Sequence, residues 1–522
     1  MHLFKTIAGL RCYLRLSYQS KTVSLVPLMG ASYTEYISLI QLSRRDSEIV
    51  VVSICVSLLL FEPNSDLGQN PRQLNEVCKF CKQLGVDAVF APTRVEFYGQ
   101  EQTLALDKSQ NLITQVVLPI TMTSVLWAQL QPEYFQNLAT VFIKLLNIVQ
   151  PANVYVSQKN AQELAIIRRL VADLNLPVKI LACPIAREEY GLACSSSNEH
   201  LTESQQAQAQ IIYKSLRRAQ KLFQAGEQDR RVLIEAIKSE LTLARELEVE
   251  YIELVNPSTL IPIVQIEESG LLVVTVRLGS VVLTDNILLL NRKPIVAIDG
   301  PAGAGKSTVT RQVAKALGLM YLDTGAMYRA VAWRVQQARI ELTDQPAIAE
   351  LVSQSQIYLA DDEITHTGVR VWIDGEEVTK AIRSPEVTAK VSAIAAVPAV
   401  RQELVKQQQK WGVKGGIVVE GRDIGTKVFP DAELKIFLTA SVQERARRRL
   451  QDFKAQKLPS MSLEQLEQEI QQRDFTDSTR AVSPLQKADD AIEIETDELN
   501  IAEVTERIVS LYHQRLYTSI KV

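Results

Sequence analysis

Between residues 22 and 184 the chain alternates short runs of Val, Ile and Leu with longer stretches whose apolar residues recur at helical spacing. The runs at 24–29, 49–55, 87–91, 153–156 and 178–182 read as strands, and strands alternating with helices predict an α/β fold with a parallel sheet. Ligands of such sheets bind outside the carboxyl ends of the strands, which directs attention to 27–36, 57–63 and 157–162. A long polar helix is expected over 203–225 and a second helix over 230–246. Strands are expected at 251–255 and 270–283, so a small α+β subdomain closes the first module. After Asn291-Arg-Lys-Pro294 the pattern restarts with the apolar run Ile-Val-Ala-Ile, then a helix-forming run over 309–317 and further strands at 415–420 and 434–438. The expected modules are 1–292, divided near 184, and 293–522.

The length of 522 residues suits several domains, and no low-complexity linker separates the modules. With 46% apolar and 22% charged residues and a formal charge of −3, the composition is that of a globular protein and gives no sign of a nucleic-acid-binding surface. Six cysteines, several in apolar runs, fit buried reduced thiols, and Cys78-Lys-Phe-Cys81 has no second pair at zinc-ligand spacing. Neither a secretory leader nor an apolar run of ~20 residues is present, so a soluble, cytoplasmic protein with no membrane partner is expected.

The chemistry is concentrated in Gly300-Pro-Ala-Gly-Ala-Gly-Lys306-Ser307, directly after the predicted strand 294–299. Glycines here let backbone N–H groups point at phosphate oxygens. Lys306 brings a positive charge to the outer phosphates, and Ser307 can hold Mg2+ as the helix starts. Gly300, Gly303, Gly305, Lys306, Ser307 and Thr308 are therefore the expected ATP-binding residues. Such a loop serves kinases, switch GTPases and motor ATPases alike, so the rest of the module must decide. Tyr321-Leu-Asp-Thr-Gly-Ala-Met-Tyr-Arg329 offers hydroxyls and an arginine fork for a second phosphorylated substrate. A strand ending in Glu420, Arg422 and Asp423 offers carboxylates for Mg2+, through water, or for a base amino group. Arg445, Arg447, Arg448 and Arg449 on one helix read either as a solvated face or as cations over a transferring phosphate.

In these motifs the second module resembles cytidylate kinase, a P-loop nucleoside-monophosphate kinase. The likeness runs from about residue 293 to 516 and includes a long insertion between 340 and 390, the stretch from Ser392 to Arg401, Gly421-Arg-Asp-Ile-Gly-Thr426, and Arg473-Asp-Phe-Thr-Asp-Ser-Thr-Arg480. The resemblance implies transfer of a phosphoryl group from ATP to CMP or dCMP with Mg2+. It implies that Thr324, Arg329, Arg422, Arg473 and Arg480 grip phosphates, that Ser392, Arg401 and Asp423 read cytosine, and that Asp477 meets the sugar. Lys306, Arg422, Arg473 and Arg480 would carry catalysis, under a lid around 447–477. Glu420, a metal-site candidate, stands where many relatives have Asp.

The first module resembles pantothenate synthetase, or pantoate–β-alanine ligase, and so implies a Rossmann-like nucleotidyltransferase-type domain with a small subdomain. The likeness is carried by Val26-Pro-Leu-Met-Gly-Ala31, Ser157-Gln-Lys-Asn-Ala-Gln162 and Gly191-Leu-Ala-Cys-Ser-Ser-Ser-Asn198. That family's His-x-Gly-His signature is replaced by Tyr33-Thr-Glu-Tyr36, which removes two imidazoles and adds a carboxylate where phosphates bind. Its Asn and Gln contacts to pantoate fall on Ser57 and Leu60, its two arginines on Gln131 and Ser197, an acid on Asn160 and a threonine on Leu28. Pro27, Met29, Gly30, Lys159, Gln162, Ser195 and Ser196 remain. A folded module defective as a ligase is expected, serving stability or homo-oligomer assembly. The alternatives are a working ligase for pantoate and β-alanine, with Tyr33 and Tyr36 as hydroxyl donors, and a regulatory ligand-binding module.

Overall fold

The computed structural model describes residues 1–17, 21–28, 33–54, 71–98, 114–129, 132–361, 369–455, 462–479 and 484–517. It divides into two compact units, Met1–Leu290 and Asn291–Val522.

In the first unit, β1 (His2–Phe4), β2 (Val23–Pro27), β3 (Ile49–Ser53), β4 (Ala88–Phe90), β5 (Asn153–Ser157) and β6 (Lys179–Cys183) form one parallel sheet in the order β1-β4-β3-β2-β5-β6. Successive side chains of a strand point to opposite faces, and here each face is covered. Ile49 and Val51 enter one apolar cluster with Phe142 and Ile166, whereas Val50 and Val52 enter another with Ile40 and Tyr36. The sequence pattern missed β1, whose three residues are too short for a periodicity. Strand order reverses between β2 and β5, so the crevice at their carboxyl ends lies by Pro27 and Ser157. Cys78 and Cys81 sit on the helix Pro71–Gln83, and among the described residues no group of three or more His, Cys, Asp or Glu could hold a metal ion.

The subdomain is a three-stranded antiparallel sheet of β7 (Leu247–Val255), β8 (Ser269–Leu278) and β9 (Val281–Leu290), packed against helices Glu203–Gln224 and Arg230–Leu241. The expected strand at 270–283 is in fact a hairpin. Gly279, at φ 62°, turns the chain, and a long apolar run hides the turn from a hydropathy reading.

The second unit is built on β10 (Ile295–Asp299), β11 (Met320–Asp323), β15 (Ile417–Glu420), β16 (Leu434–Thr439) and β17 (Ile492–Glu495), parallel and ordered β11-β15-β10-β16-β17. All five residues of β10 are buried at the centre of the sheet. The register pairs Glu420 with Asp323 on one side and Ile298 on the other, so Asp323, Glu420 and Asp299 end three adjacent strands. The insertion forms a separate antiparallel sheet of β12 (Ile357–Asp361), β13 (Val369–Ile373) and β14 (Glu376–Glu377). Helices Val442–Ala455 and Leu463–Thr479 form an arm with its own small apolar cluster of Ala446, Leu466 and Ile470. No described helix is long and apolar enough to cross a membrane.

Candidate functional site

The loop after β10 is shaped by glycines that a side chain could not replace. Gly300 has φ 146°, and a Cβ there would lie 2.0 Å from the Leu438 carbonyl oxygen. Gly305, at φ 84°, caps the helix Lys306–Leu317 without any side-chain hydrogen bond, which leaves the first-turn N–H groups for an anion. That helix starts three residues earlier than its apolar pattern suggests, with Lys306 and Ser307 in its first turn. Lys306 is buried and its Nζ donates to the Pro301 carbonyl at 2.6 Å. Burial, reinforced by the charge of Arg422, pulls its pKa well below the ordinary lysine range.

Glu420 ties this loop to the neighbouring strands. Its Oε1 accepts from Ser307 Oγ at 2.8 Å and from Tyr321 OH at 2.9 Å, while its main-chain carbonyl accepts from Thr324 Oγ1 at 2.7 Å. Oε2 is buried with no hydrogen-bond partner among the described residues, so a serine hydroxyl and an open carboxylate oxygen stand together, a donor set suited to a hard divalent cation or its waters. Burial, then the nearby Asp323, pushes the Glu420 carboxyl up to about 6. Asp299 is likewise raised to about 6, chiefly by burial, and its two oxygens accept from the backbone N–H groups of Ile424 and Gly425 at 2.9 and 2.7 Å.

Facing the loop across a cavity of about 1110 Å³ is a wall of acid–base pairs. Arg401 Nη2 donates to Asp423 Oδ2 at 2.6 Å, with both side chains buried. Burial alone would depress the Arg401 guanidinium, but Asp423 reverses the sign and raises its pKa. Arg422 pairs with Asp477 at 3.3 Å and Arg329 with Asp323 at 2.8 Å. Arg473 lines the same cavity and makes no hydrogen bond or ion pair among the described residues, while Ser392 presents an exposed hydroxyl there.

In the first unit, Lys159 follows β5 and its Nζ donates to the Cys194 carbonyl at 2.6 Å. Glu35 is only 2% exposed, and its carboxyl is raised by burial against the opposing effects of Lys159 and a hydrogen bond with Ser157. Burial lowers the pKa of the Lys159 ammonium, and the opposing influence of Glu35, Asp285 and Glu163 does not restore it. Asp285 is held by a bidentate pair with Arg187 at 2.7 and 3.0 Å. Gln162 Nε2 donates to the carbonyls of Met122 and Val125 at 3.2 and 2.9 Å. Ser195 accepts from Ser197 N at 3.3 Å and starts the short turn Ser196–His200.

A family description, Cytidylate kinase, matches residues 296–514, and a second, Pantoate-beta-alanine ligase, matches residues 2–288. A bifunctional pantoate ligase/cytidylate kinase of Trichormus variabilis is 51% identical over 535 residues, covering 99% of each chain. The chain belongs to the bifunctional pantoate ligase/cytidylate kinase family. A relative of the same name from Trichodesmium erythraeum is also 51% identical, covering 99% of this chain and 98% of that one. A pantothenate synthetase of Thermus thermophilus is 30% identical, with a TM-score of 0.49, covering 55% of this chain and 99% of its own.

The cytidylate kinase unit brings Gly303, Gly305, Lys306, Ser307, Thr308, Thr324, Arg329, Ser392, Arg401, Glu420, Arg422, Asp423, Arg473 and Asp477 onto one cavity. Gly300 is not on that lining, because it lies against the Leu438 carbonyl. Arg480, Met29, Gly30, Ser57, Leu60 and Gln131 lie outside the described residues, as does the side chain of Tyr33. The helical phase splits the arginine run, which is neither a uniform solvated face nor a uniform set of phosphate cations. Arg445 has a side chain 4% exposed and that of Arg447 is 64% exposed. In the pantoate-ligase unit, Tyr36 packs into an apolar cluster with Val26, Ile40 and Val52. Sequence reasoning assigned no role to Asp299, although a carboxylate as the last residue of a fully buried strand is itself the signal of a specific partner.

Proposed function

We propose that the kinase unit transfers the γ-phosphoryl group of ATP to the phosphate of CMP or dCMP, and that the pantoate-ligase unit no longer performs its family's condensation. The observation that carries the first part is the single cavity in which a phosphate loop faces the buried Arg401–Asp423 pair. Cytosine offers an exocyclic amino donor beside ring acceptors, and a carboxylate next to a guanidinium is the matching edge. Arg329 and the Thr324 hydroxyl suit the CMP phosphate, and Asp477 the sugar. Lys306 suits the outer phosphates of ATP. Arg422, Arg473 and Arg480 suit the equatorial oxygens of the group in transit. Ser307 and Glu420 would hold Mg2+ or its waters, and the ion when bound neutralises phosphate charge. No general base is required, because the accepting phosphate is already anionic. Catalysis then comes from alignment, fixed cations and exclusion of water.

The second part rests on Glu35 and Lys159. An incoming triphosphate would meet the buried Glu35 carboxyl and a Lys159 ammonium already disfavoured by burial, in a site whose sequence replaces both imidazoles. Several lost contacts in one site, though not additive, leave little activity. The full-length resemblance to proteins named as bifunctional favours a second reading, a working ligase. Both reactions assayed on one preparation separate the two readings. CMP-dependent ADP formation is expected, with a loss of at least about 10²-fold in Lys306→Ala. AMP formation dependent on pantoate and β-alanine is expected to be absent. Ligase turnover comparable to the kinase rate would overturn the proposed defect, and unchanged kinase turnover in Lys306→Ala would overturn the kinase site.

A further inference from the structure

Arg445 commits every nitrogen of its guanidinium to partners inside the protein, on three separate elements. Nε donates to the Ala440 carbonyl at the end of β16 at 3.0 Å, and Nη1 donates to the Ala302 carbonyl within the phosphate loop at 3.2 Å. The fork closes on Asp474, Nη1 to Oδ1 at 3.0 Å and Nη2 to Oδ2 at 2.6 Å. A Cβ on Gly303 would lie 3.3 Å from Arg445 Cβ, so the loop and the arginine stem are packed together. Asp474 sits on the helix Leu463–Thr479, between Arg473, which faces the cavity without a partner among the described residues, and Asp477, which pairs with Arg422. The apolar packing within the arm is a small cluster separate from the main core.

We propose that Arg445 and Asp474 form a positioning clamp that joins the phosphate loop to the arm, so that nucleotide in the loop fixes Arg473 over the reacting phosphates. This rests on the kinase reading of the cavity. A bidentate, charge-assisted pair fixes both angle and distance, which a lone ammonium would not. Arg445 reaches the cavity lining, but each of its guanidinium nitrogens is engaged within the protein, and Asp474 is not on the lining. Their effect passes through Arg473, and a displacement of about 1 Å at such a group costs about 10²-fold in rate.

The test is a double-mutant cycle in the full chain, combining Asp474→Asn with Arg473→Ala. Asp474→Asn is expected to lower kcat by about 10²-fold while KM for ATP and CMP stays within about 3-fold, and Asp474→Glu is expected to recover most of the loss. On the Asp474→Asn background, Arg473→Ala is expected to cost only a few-fold more, because the arginine is already out of place. Additive losses, or a loss confined to KM, would overturn the clamp. A wild-type chain inert toward CMP would instead remove the kinase reading itself. If Asp474→Asn fails to fold, hydrogen exchange of wild type decides. Added non-hydrolysable ATP analogue with Mg2+, without CMP, is expected to protect helix 463–479, and unchanged exchange there would overturn the proposal.

Discussion

Glu420 serves best as a carboxylate, yet burial and Asp323 hold its pKa up at about 6, the same value as Asp299 at the end of the neighbouring strand. Both groups are charged above that pH and take up protons as it falls. A neutral Glu420 would hold a cation's waters poorly, so kcat/KM for MgATP is expected to fall on the acid side with a midpoint near 6. ATP and CMP phosphates titrate in the same region. The enzyme's share is therefore the difference between wild type and Glu420→Gln, which should be at least about 10²-fold slower at about pH 8 and less sensitive below about 6. Identical relative profiles for the two proteins between about pH 5 and 8 would remove Glu420 from this role. At this scale the sequence was informative wherever a residue type names its chemistry. Lys306 and Ser307 stand out by their offsets from the loop glycines, whereas the roles expected of Arg401 and Asp477 came only from the motifs that resemble cytidylate kinase. Arg445 did not stand out, since four near-adjacent arginines look alike until a helical phase and a partner, Asp474, divide them.

Among elements, the phosphate loop was the most legible, because its glycines, lysine and serine fall at fixed offsets just past a buried strand. Its steric requirement was not legible. Only the register of β16 beside β10 brings the Leu438 carbonyl to Gly300. Gly300→Ala therefore has to move either the loop or β16, on top of the strain of an L-residue at φ 146°. The expected outcome is a loss of at least about 2 kcal/mol in urea melts of the kinase unit, together with weakened ATP binding. A fully stable variant would mean the loop bends freely there. The β8–β9 hairpin and β1 escaped the sequence for opposite reasons. One is a turn concealed within a continuous apolar run, and the other is too short to show any period.

Across the whole molecule, each unit closes its own cores, with the first unit's clusters drawn from residues between Leu10 and Leu289 and the second's between Ile295 and Ile508. This is why the division into two modules was readable from where the strand–helix pattern restarts. Ligand binding can be followed in each unit through that unit's own peptides. A ligand at about 100 times its Kd adds about 2.7 kcal/mol to the stability of the fold that holds it and nothing to a fold that does not. In the full chain, a non-hydrolysable ATP analogue with CMP is expected to slow hydrogen exchange in peptides bearing Lys306, Arg401 and Glu420. ATP with pantoate should leave peptides bearing Glu35, Lys159 and Gln162 unchanged. The contrast tests the division of labour itself, because both families use ATP and differ here in the charge that meets it. The kinase cavity is lined by Lys306 and several arginines, whereas Lys159 of the pantoate-ligase unit has its charge disfavoured by burial and lies in the field of the buried Glu35. Protection of the first unit by ATP and pantoate would show that Glu35 gives way to the ligand, and the proposed defect would fall with it.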